Sequence, residues 1–287
     1  MTGPDQAPSP ARGAARALEL VTTWPATAAA GVTGPAAVCA VAGPADRVFA
    51  WASVTKLLTA LATLVAVEEG SIALDDPAGP PGSTVRHLLA HASGLPFDGD
   101  TPVAAPGTTR IYSNSGFDAL ATALAAATDM PAVAYIRDAV VSPLGLAATA
   151  LEGSPASGAH GPLTDLLALG RELLAPTLVA PETLGAATSV AFPQLAGILP
   201  GFGRHSPNDW GLGFELRDHK APHWTGARNS PATFGHFGRA GSFLWVDPAA
   251  GVACAALADR DFGPWAAAAW PELADAVLAE LGADPSR

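Results

Sequence analysis

Apolar residues cluster differently in the beginning, middle and end of this chain. Residues 12–23 read as a helix that must stop before Pro25, because proline removes a backbone donor and clashes with the preceding turn. The apolar runs 36–42 and 47–51, parted by Gly43-Pro44-Ala45-Asp46, predict two short strands. Residues 53–69 then predict a helix ended by Gly70, with Leu57, Leu58, Leu61, Leu64 and Val65 as its apolar stripe. Its other faces are mostly Ala, Val and Thr, so it reads as a core helix. Short helices follow over 85–91 and 115–128, the latter capped by Ser113 or Ser115. From 131 to 190 helical pieces are broken by Pro143, Pro155, Pro162, Pro176 and Pro181, and 192–208 reads as loop. Strand character returns over 211–216, 234–237, 242–246 and 252–257, with Asp247–Gly251 as a hairpin turn, before an amphipathic helix over 264–281. Strands at both ends around a helical block predict an α+β protein: a sheet domain from 12–85 and 205–287, an inserted helical domain over 86–204, and a disordered tail over 1–11. There is no internal repeat.

Composition narrows the class. The 287 residues are 49% hydrophobic and 14% charged, which marks a folded globular chain. A formal net charge of −11 argues against nucleic acid or an anionic membrane as partner, since both require clustered cations. Cys39 and Cys254 each sit in an apolar strand-like run and read as buried thiols; a disulfide would need those strands to be neighbours. His219 and His223 are four apart, but Pro222 lies between them in a loop-like stretch, so no metal site and no cofactor is expected. Arg12 and Arg16 before Ala28-Ala29-Ala30 superficially resemble an export signal, but Glu19, Thr22, Thr23 and Pro25 interrupt the would-be apolar core. No run reaches the roughly 18 apolar residues of a membrane span. A cytoplasmic protein is the expectation.

The chemistry begins at Ser53-Val54-Thr55-Lys56. A serine and a lysine three apart on a helix share a face, and a lysine in apolar surroundings can act as the base a serine hydroxyl needs. Alone, the pair is a weak signal. It is joined, in order, by Leu88-Leu89-Ala90-His91-Ala92-Ser93-Gly94-Leu95-Pro96, Tyr112-Ser113-Asn114 and His236-Phe237-Gly238. Together these resemble the serine β-lactamase and penicillin-binding-protein superfamily, specifically its class C β-lactamase, DD-peptidase and esterase branch, over about residues 47–257.

The resemblance implies an antiparallel five-stranded sheet flanked by helices, with a helical insert. It implies Ser53 as acylated nucleophile, Lys56 as its activating neighbour, and Tyr112 as second proton-transfer group, its phenol lowered by the lysine cation and assisting the deacylating water. Asn114 would hold Lys56 and the substrate carbonyl. The backbone N–H groups of Ser53 and Arg239 would form the oxyanion hole beside Gly238, with His236 on the substrate side. His91 and Ser93 would fix a turn between helices, and Trp210 would line the cleft or pack in the core. Two departures bear on substrate. Phe237 stands where a threonine hydroxyl commonly helps bind a carboxylate, although Arg239 is a possible substitute. Only about 120 residues separate Asn114 from His236, which implies an open cleft. The expected activity is hydrolysis of small or medium acyl esters through an acyl-enzyme. Alternatives are a D-amino-acid amidase, DD-peptidase or weak β-lactamase, a transacylase of specialised metabolism, and a non-catalytic binding protein. The partner is a small-molecule ester or amide; the oligomeric state stays open.

Overall fold

The computed structural model describes residues 10–282, so residues 1–9 of the expected tail lie outside it. Its helices are α1 (Pro10–Leu18), α2 (Thr55–Glu68), α3 (Val85–Leu89), α4 (Asn114–Thr128), α5 (Ala132–Ile136), α6 (Leu163–Leu174), α7 (Pro181–Ala187) and α8 (Pro264–Glu280). The central sheet has six strands: β1 (Ala28–Thr33), β2 (Val38–Ala42), β3 (Glu215–Leu216), β4 (Phe234–Gly238), β5 (Ser242–Asp247) and β6 (Val252–Ala258). Their order is β2-β1-β6-β5-β4-β3, every neighbouring pair antiparallel.

The α+β class holds, but the sheet gains a strand over the expected five. The addition is β1, the alanine-rich stretch that resembled an export signal. Alanine and glycine are poor strand formers in isolation; here all six residues are buried. Gly31 is needed because a Cβ there would come within 2.7 Å of Leu167 on α6. The expected strand over 47–51 shrinks to Phe49–Ala50 and leaves the central sheet, pairing with Ala159–Gly161, which in turn pairs with Ala150–Leu151. Residues 211–216 form strand only at Glu215–Leu216. The loop expected over 192–208 contains a small hairpin, Gly197–Leu199 against Gly203–His205.

Two apolar layers hold the sheet. On one face α1 and α8 pack with Trp245, Phe243, Trp270 and Trp224; on the other α2 and α6 pack with Leu244, Ala253 and Leu257. Helix α2 is the expected core helix, buried at every residue from Thr55 to Leu64. Helix α6 packs directly on β1, β5 and β6. Cys254 is buried in β6 while Cys39 on β2 is half-buried, and both thiols are free. Among the described residues no single helix is long and apolar enough to cross a membrane.

Candidate active site

The helix expected from residue 53 begins as α-helix only at Thr55. Ser53 sits in a single 3-10 turn, Ala52–Val54, that leads into α2. Its N–H belongs to the first turn and has no acceptor within the helix, which leaves it available to a ligand. Ala52, just before it, adopts a left-handed φ of 45°, a conformation that alanine occupies only when its surroundings hold it there. Several contacts do so. Ser242 Oγ donates to the Trp51 carbonyl at 2.7 Å, Trp51 N–H donates to the Ala159 carbonyl at 2.9 Å, and its indole N–H reaches Gly161 at 3.1 Å. Thr55 Oγ1 donates to the Ala52 carbonyl at 2.6 Å and accepts from Ala159 N–H at 3.0 Å. The turn is thus clamped between the sheet and the 155–161 segment.

Strand β4 runs beside this turn, and Gly238 is where the two meet. A Cβ at Gly238 would collide with the Trp51 carbonyl and Ser242 Oγ and lie 3.1 Å from the Ala52 Cβ. Gly238→Ala is therefore expected to cost about 1–3 kcal/mol by overpacking. By shifting the turn it should also lower kcat/KM on an activated ester about 10–100-fold. Thermal melts and ester kinetics on the purified variant check both; wild-type kinetics would refute a close-approach role for this glycine.

Lys56 is fully buried. Its Nζ donates to Asn114 Oδ1 at 2.7 Å and to the Ala156 carbonyl at 2.9 Å, and lies 4.9 Å from the Tyr112 ring centroid and 5.4 Å from that of Phe117. Burial lowers its pKa to about 7, with Asp118 and Asp98 opposing the shift. An ammonium has three N–H donors; two are engaged here, and neither goes to Ser53. Asn114 opens α4, whose N-cap is Ser113, its Oγ accepting from Gly116 N–H at 2.8 Å.

Tyr112 corrects an expectation. Its phenol is pushed well above its ordinary value, because burial outweighs the neighbouring Ser53 hydroxyl, and no lysine cation lowers it. Desolvation disfavours the phenolate, and a lysine near pKa 7 carries little charge to offset that. Tyr112 is half-buried and lines the cleft, but the phenol oxygen is covered and has no hydrogen-bond partner. His91, at a left-handed φ of 53° just past α3, accepts from Ser113 N–H through Nδ1 at 3.1 Å. Its ring packs 4.6 Å from that of Tyr112 and 4.7 Å from that of Trp210. So His91 shapes the turn, as expected, and also seats Tyr112. Ser93 Oγ accepts from Leu95 N–H at 3.4 Å within the same turn.

His236 is buried and held neutral, its pKa lowered by burial to about 3. Nδ1–H donates to the Phe237 carbonyl at 2.7 Å, which leaves Nε2 as an acceptor without a partner. Its ring lies 5.7 Å from that of Tyr112. Phe237 is half-buried among Phe262, Trp224, Trp270 and Phe202, at centroid distances of 5.2, 5.7, 5.8 and 5.9 Å. Arg239 stands at the rim, highly exposed, 3.4 Å from Asp261. Ser53, Tyr112, Trp210, His236, Phe237 and Arg239 all line one cleft of about 220 Å³, closed by Leu199, Pro200 and Phe262. Lys56 and Asn114 lie behind Ser53 and Tyr112.

Three components of the site lie outside the short motifs. The Ala156 carbonyl holds Lys56 from a segment read as broken helix. Glu215, on the cleft wall, is buried with Lys220, His223 (2.9 Å) and the Trp224 indole (2.9 Å) as donors; burial pushes its carboxyl up, but His223 and Lys220 outweigh this and hold it at about 2. His223 also accepts from Thr225, while His219 is exposed beside Asp218. Arg110 is buried and donates to four backbone carbonyls: Ala90 (2.5 Å), Ala191 (2.7 Å), Phe192 (3.1 Å) and Asn208 (3.1 Å). No short motif marks Arg110, whose partners are remote in sequence.

A near-neutral amine three residues from a hydroxyl, next to a protonated phenol, can carry out acyl transfer. Comparison with known proteins points the same way. A family model described as Beta-lactamase matches residues 25–279. A crystal structure described as a β-lactamase from Mycobacterium bovis is 53% identical, covers 92% of this chain and 99% of that one, and superposes with a TM-score of 0.91. The D-alanyl-D-alanine-carboxypeptidase/endopeptidase AmpH of Escherichia coli (strain K12) is 31% identical over 147 residues, only 38% of each protein. A D-stereospecific amidohydrolase from Streptomyces sp., 20% identical, shares the fold with a TM-score of 0.68 over 93% of this chain and 97% of that one. The family match runs from just before β1 into α8 and takes in all three motifs, so this chain belongs to the Beta-lactamase family, in the serine β-lactamase and penicillin-binding-protein-like superfamily.

Proposed function

We propose that this serine hydrolase cleaves esters of small or medium apolar acyl groups through an acyl-enzyme on Ser53. Neutral Lys56 takes the Ser53 proton as Oγ attacks the ester carbonyl, and the oxyanion is held by the N–H groups of Ser53 and Arg239. Tyr112, protonated at neutral pH, gives its proton to the leaving alkoxide as the C–O bond breaks, and recovers one from the Lys56 ammonium. Water then attacks the acyl-enzyme, its proton passing to neutral Lys56, and Ser53 Oγ is released with a proton returned from the Lys56–Tyr112 pair. Asn114 keeps Lys56 aimed at the pair. Removing one oxyanion donor from such a site typically costs about 10²–10³ in rate.

The observation that carries the substrate class is the cleft wall at Phe237. Where a hydroxyl would bind a carboxylate, the rings of Phe237 and Phe262 line the cleft instead, with Phe202 packed against both, and the cleft's single cation, Arg239, is out at the rim. Such a pocket favours an apolar acyl chain and penalises a buried carboxylate. A second reading, β-lactam hydrolysis, is favoured by the 53% identity to the structure described as a β-lactamase, with Arg239 as its carboxylate partner.

Intact mass spectrometry separates the readings. Wild type and Ser53→Ala are incubated with p-nitrophenyl butyrate, benzylpenicillin and a fluorophosphonate. Expected are a fluorophosphonate adduct and ester turnover in the wild type, with neither in Ser53→Ala. Penicillin turnover outpacing the ester would support the β-lactamase reading. Amide substrates or added alcohol acceptors extend the same assay to amidase and transacylase chemistry. No adduct with any probe would leave a binding protein.

A further inference from the structure

A second groove, of about 530 Å³, begins at Tyr112, Phe97 and Pro200, which it shares with the catalytic cleft, and continues over Ile198 to Arg204. Ser53, His236 and Phe237 do not reach it. Its walls are apolar and unusually exposed: Phe97 is 50% and Ile198 61% accessible. Ile198 and Arg204 face each other in register on the hairpin Gly197–Leu199/Gly203–His205, so their side chains share a face. Arg204 is exposed and makes no ion pair or side-chain hydrogen bond among the described residues. The groove's other cation, Arg110, is occupied by four carbonyls, and no carboxylate lines it. Arg204 is thus free to meet an anion placed in the groove.

We propose that this groove is the leaving-group subsite, shaped for a phenol or alcohol with an apolar body and an anionic substituent that meets Arg204. The inference rests on the proposed acyl-enzyme reading. Tyr112 there protonates the leaving oxygen, which must come within about 3 Å of its hydroxyl. The acyl chain occupies the Phe237 side, so the remainder of the leaving group extends past Tyr112, where the groove begins. Once Ser53 Oγ has added to the carbonyl carbon, the bond from that carbon to the leaving oxygen breaks as the oxyanion collapses, and the Tyr112 proton leaves with the phenol. An acceptor alcohol in the reverse step would enter by the same route. The apolar cleft and the cation are thereby assigned to opposite halves of one substrate.

The test compares two butyrate esters that share an acyl group, 4-carboxyphenyl butyrate and its neutral isostere 4-(methoxycarbonyl)phenyl butyrate, on wild type, Arg204→Gln and Arg204→Lys. The readout is the anionic-to-neutral ratio of kcat/KM, which cancels general damage to the enzyme. The ratio is expected to fall about three- to tenfold in Arg204→Gln, to survive largely in Arg204→Lys, and to shrink in wild type as salt is raised. An unchanged ratio in Arg204→Gln, with Ser53 still acylated, overturns the subsite alone. Failure of both esters to acylate wild-type Ser53 overturns the hydrolase reading and the subsite with it.

Discussion

Replacing Lys56 with methionine is expected to leave a folded, more stable protein whose Ser53 is acylated about 10³-fold more slowly, within the range for loss of a general base. Methionine fills similar space without the charge. Activity should follow the amine's protonation. With a pKa of about 7, Lys56 is protonated and unable to accept a proton at lower pH. Wild-type kcat/KM therefore rises about tenfold per pH unit below 7 and levels off above it. Tyr112, shifted upward, adds no falling limb near neutrality. The rising limb should vanish in Lys56→Met; its persistence would assign the base elsewhere.

The stability change has a defined sign. The unfolded chain holds the Lys56 proton up to its ordinary value of 10.5, whereas the folded chain releases it at about 7. Between those values the unfolded state binds more protons, so stability rises with pH, and below about 7 the penalty is complete. At about 1.4 kcal/mol per unit the penalty is about 5 kcal/mol. Methionine removes it but leaves Asn114 and the Ala156 carbonyl without their donor, so a net gain of about 1–3 kcal/mol is expected at pH 6. Urea unfolding at pH 6 and pH 10 should show this advantage fading as pH rises; a variant less stable than wild type at pH 6 would contradict the burial penalty.

Arg110→Ala is expected to have the largest effect on stability, a loss of about 3–5 kcal/mol. One guanidinium gathers the carbonyls of Ala90, Ala191, Phe192 and Asn208, and each buried carbonyl left unpaired costs about 1–3 kcal/mol unless water replaces the donor. Burial lowers the arginine's own pKa to about 10, so it remains charged at neutral pH. At this chain length the loss corresponds to a Tm lower by about 5–10 °C. Arg110→Lys should recover only part of it, because an ammonium cannot span the positions of a planar fork. Activity should fall as well, since Arg110 also donates through its backbone to Ala196 at 2.9 Å and lies two residues before Tyr112. Thermal unfolding of both variants checks the order; equal melting of Arg110→Lys and wild type would show that the fork is not required.

What was readable in advance follows from the distance over which each residue acts. Ser53 and Lys56 are neighbours on one helix, and Tyr112, Asn114 and His236 belong to short motifs, so local spacing and family resemblance reached them together. Arg110 and Glu215 carry no such mark. Arg110 draws on carbonyls 20 to 98 residues away, and a carbonyl has no residue identity to read. Strand β1 was missed because its alanines suit close packing from both sides, and that demand comes from α6 and β6. The direction of the Tyr112 shift was misread because a neighbouring lysine suggests a cation, whereas the same burial that lowers Lys56 also raises the phenol. Cys39 looked as buried as Cys254, but β2 turned out to be an edge strand.

The strand order also bears on the order in which the sheet can be assembled. Strand β6 lies between β1 and β5 in space yet comes last of all strands in the chain. Until residues 252–258 leave the ribosome, the sheet exists only as two pieces with facing open edges. Ser53 would already have been translated some two hundred residues earlier. Its turn packs against Ser242 and Gly238, register partners on β5 and β4, which are translated near the end of the chain. Such long-range closure is slow and leaves unpaired strands exposed to other nascent chains. The turn that carries Ser53 is thus translated early but completed by contacts to strands that come late in the chain.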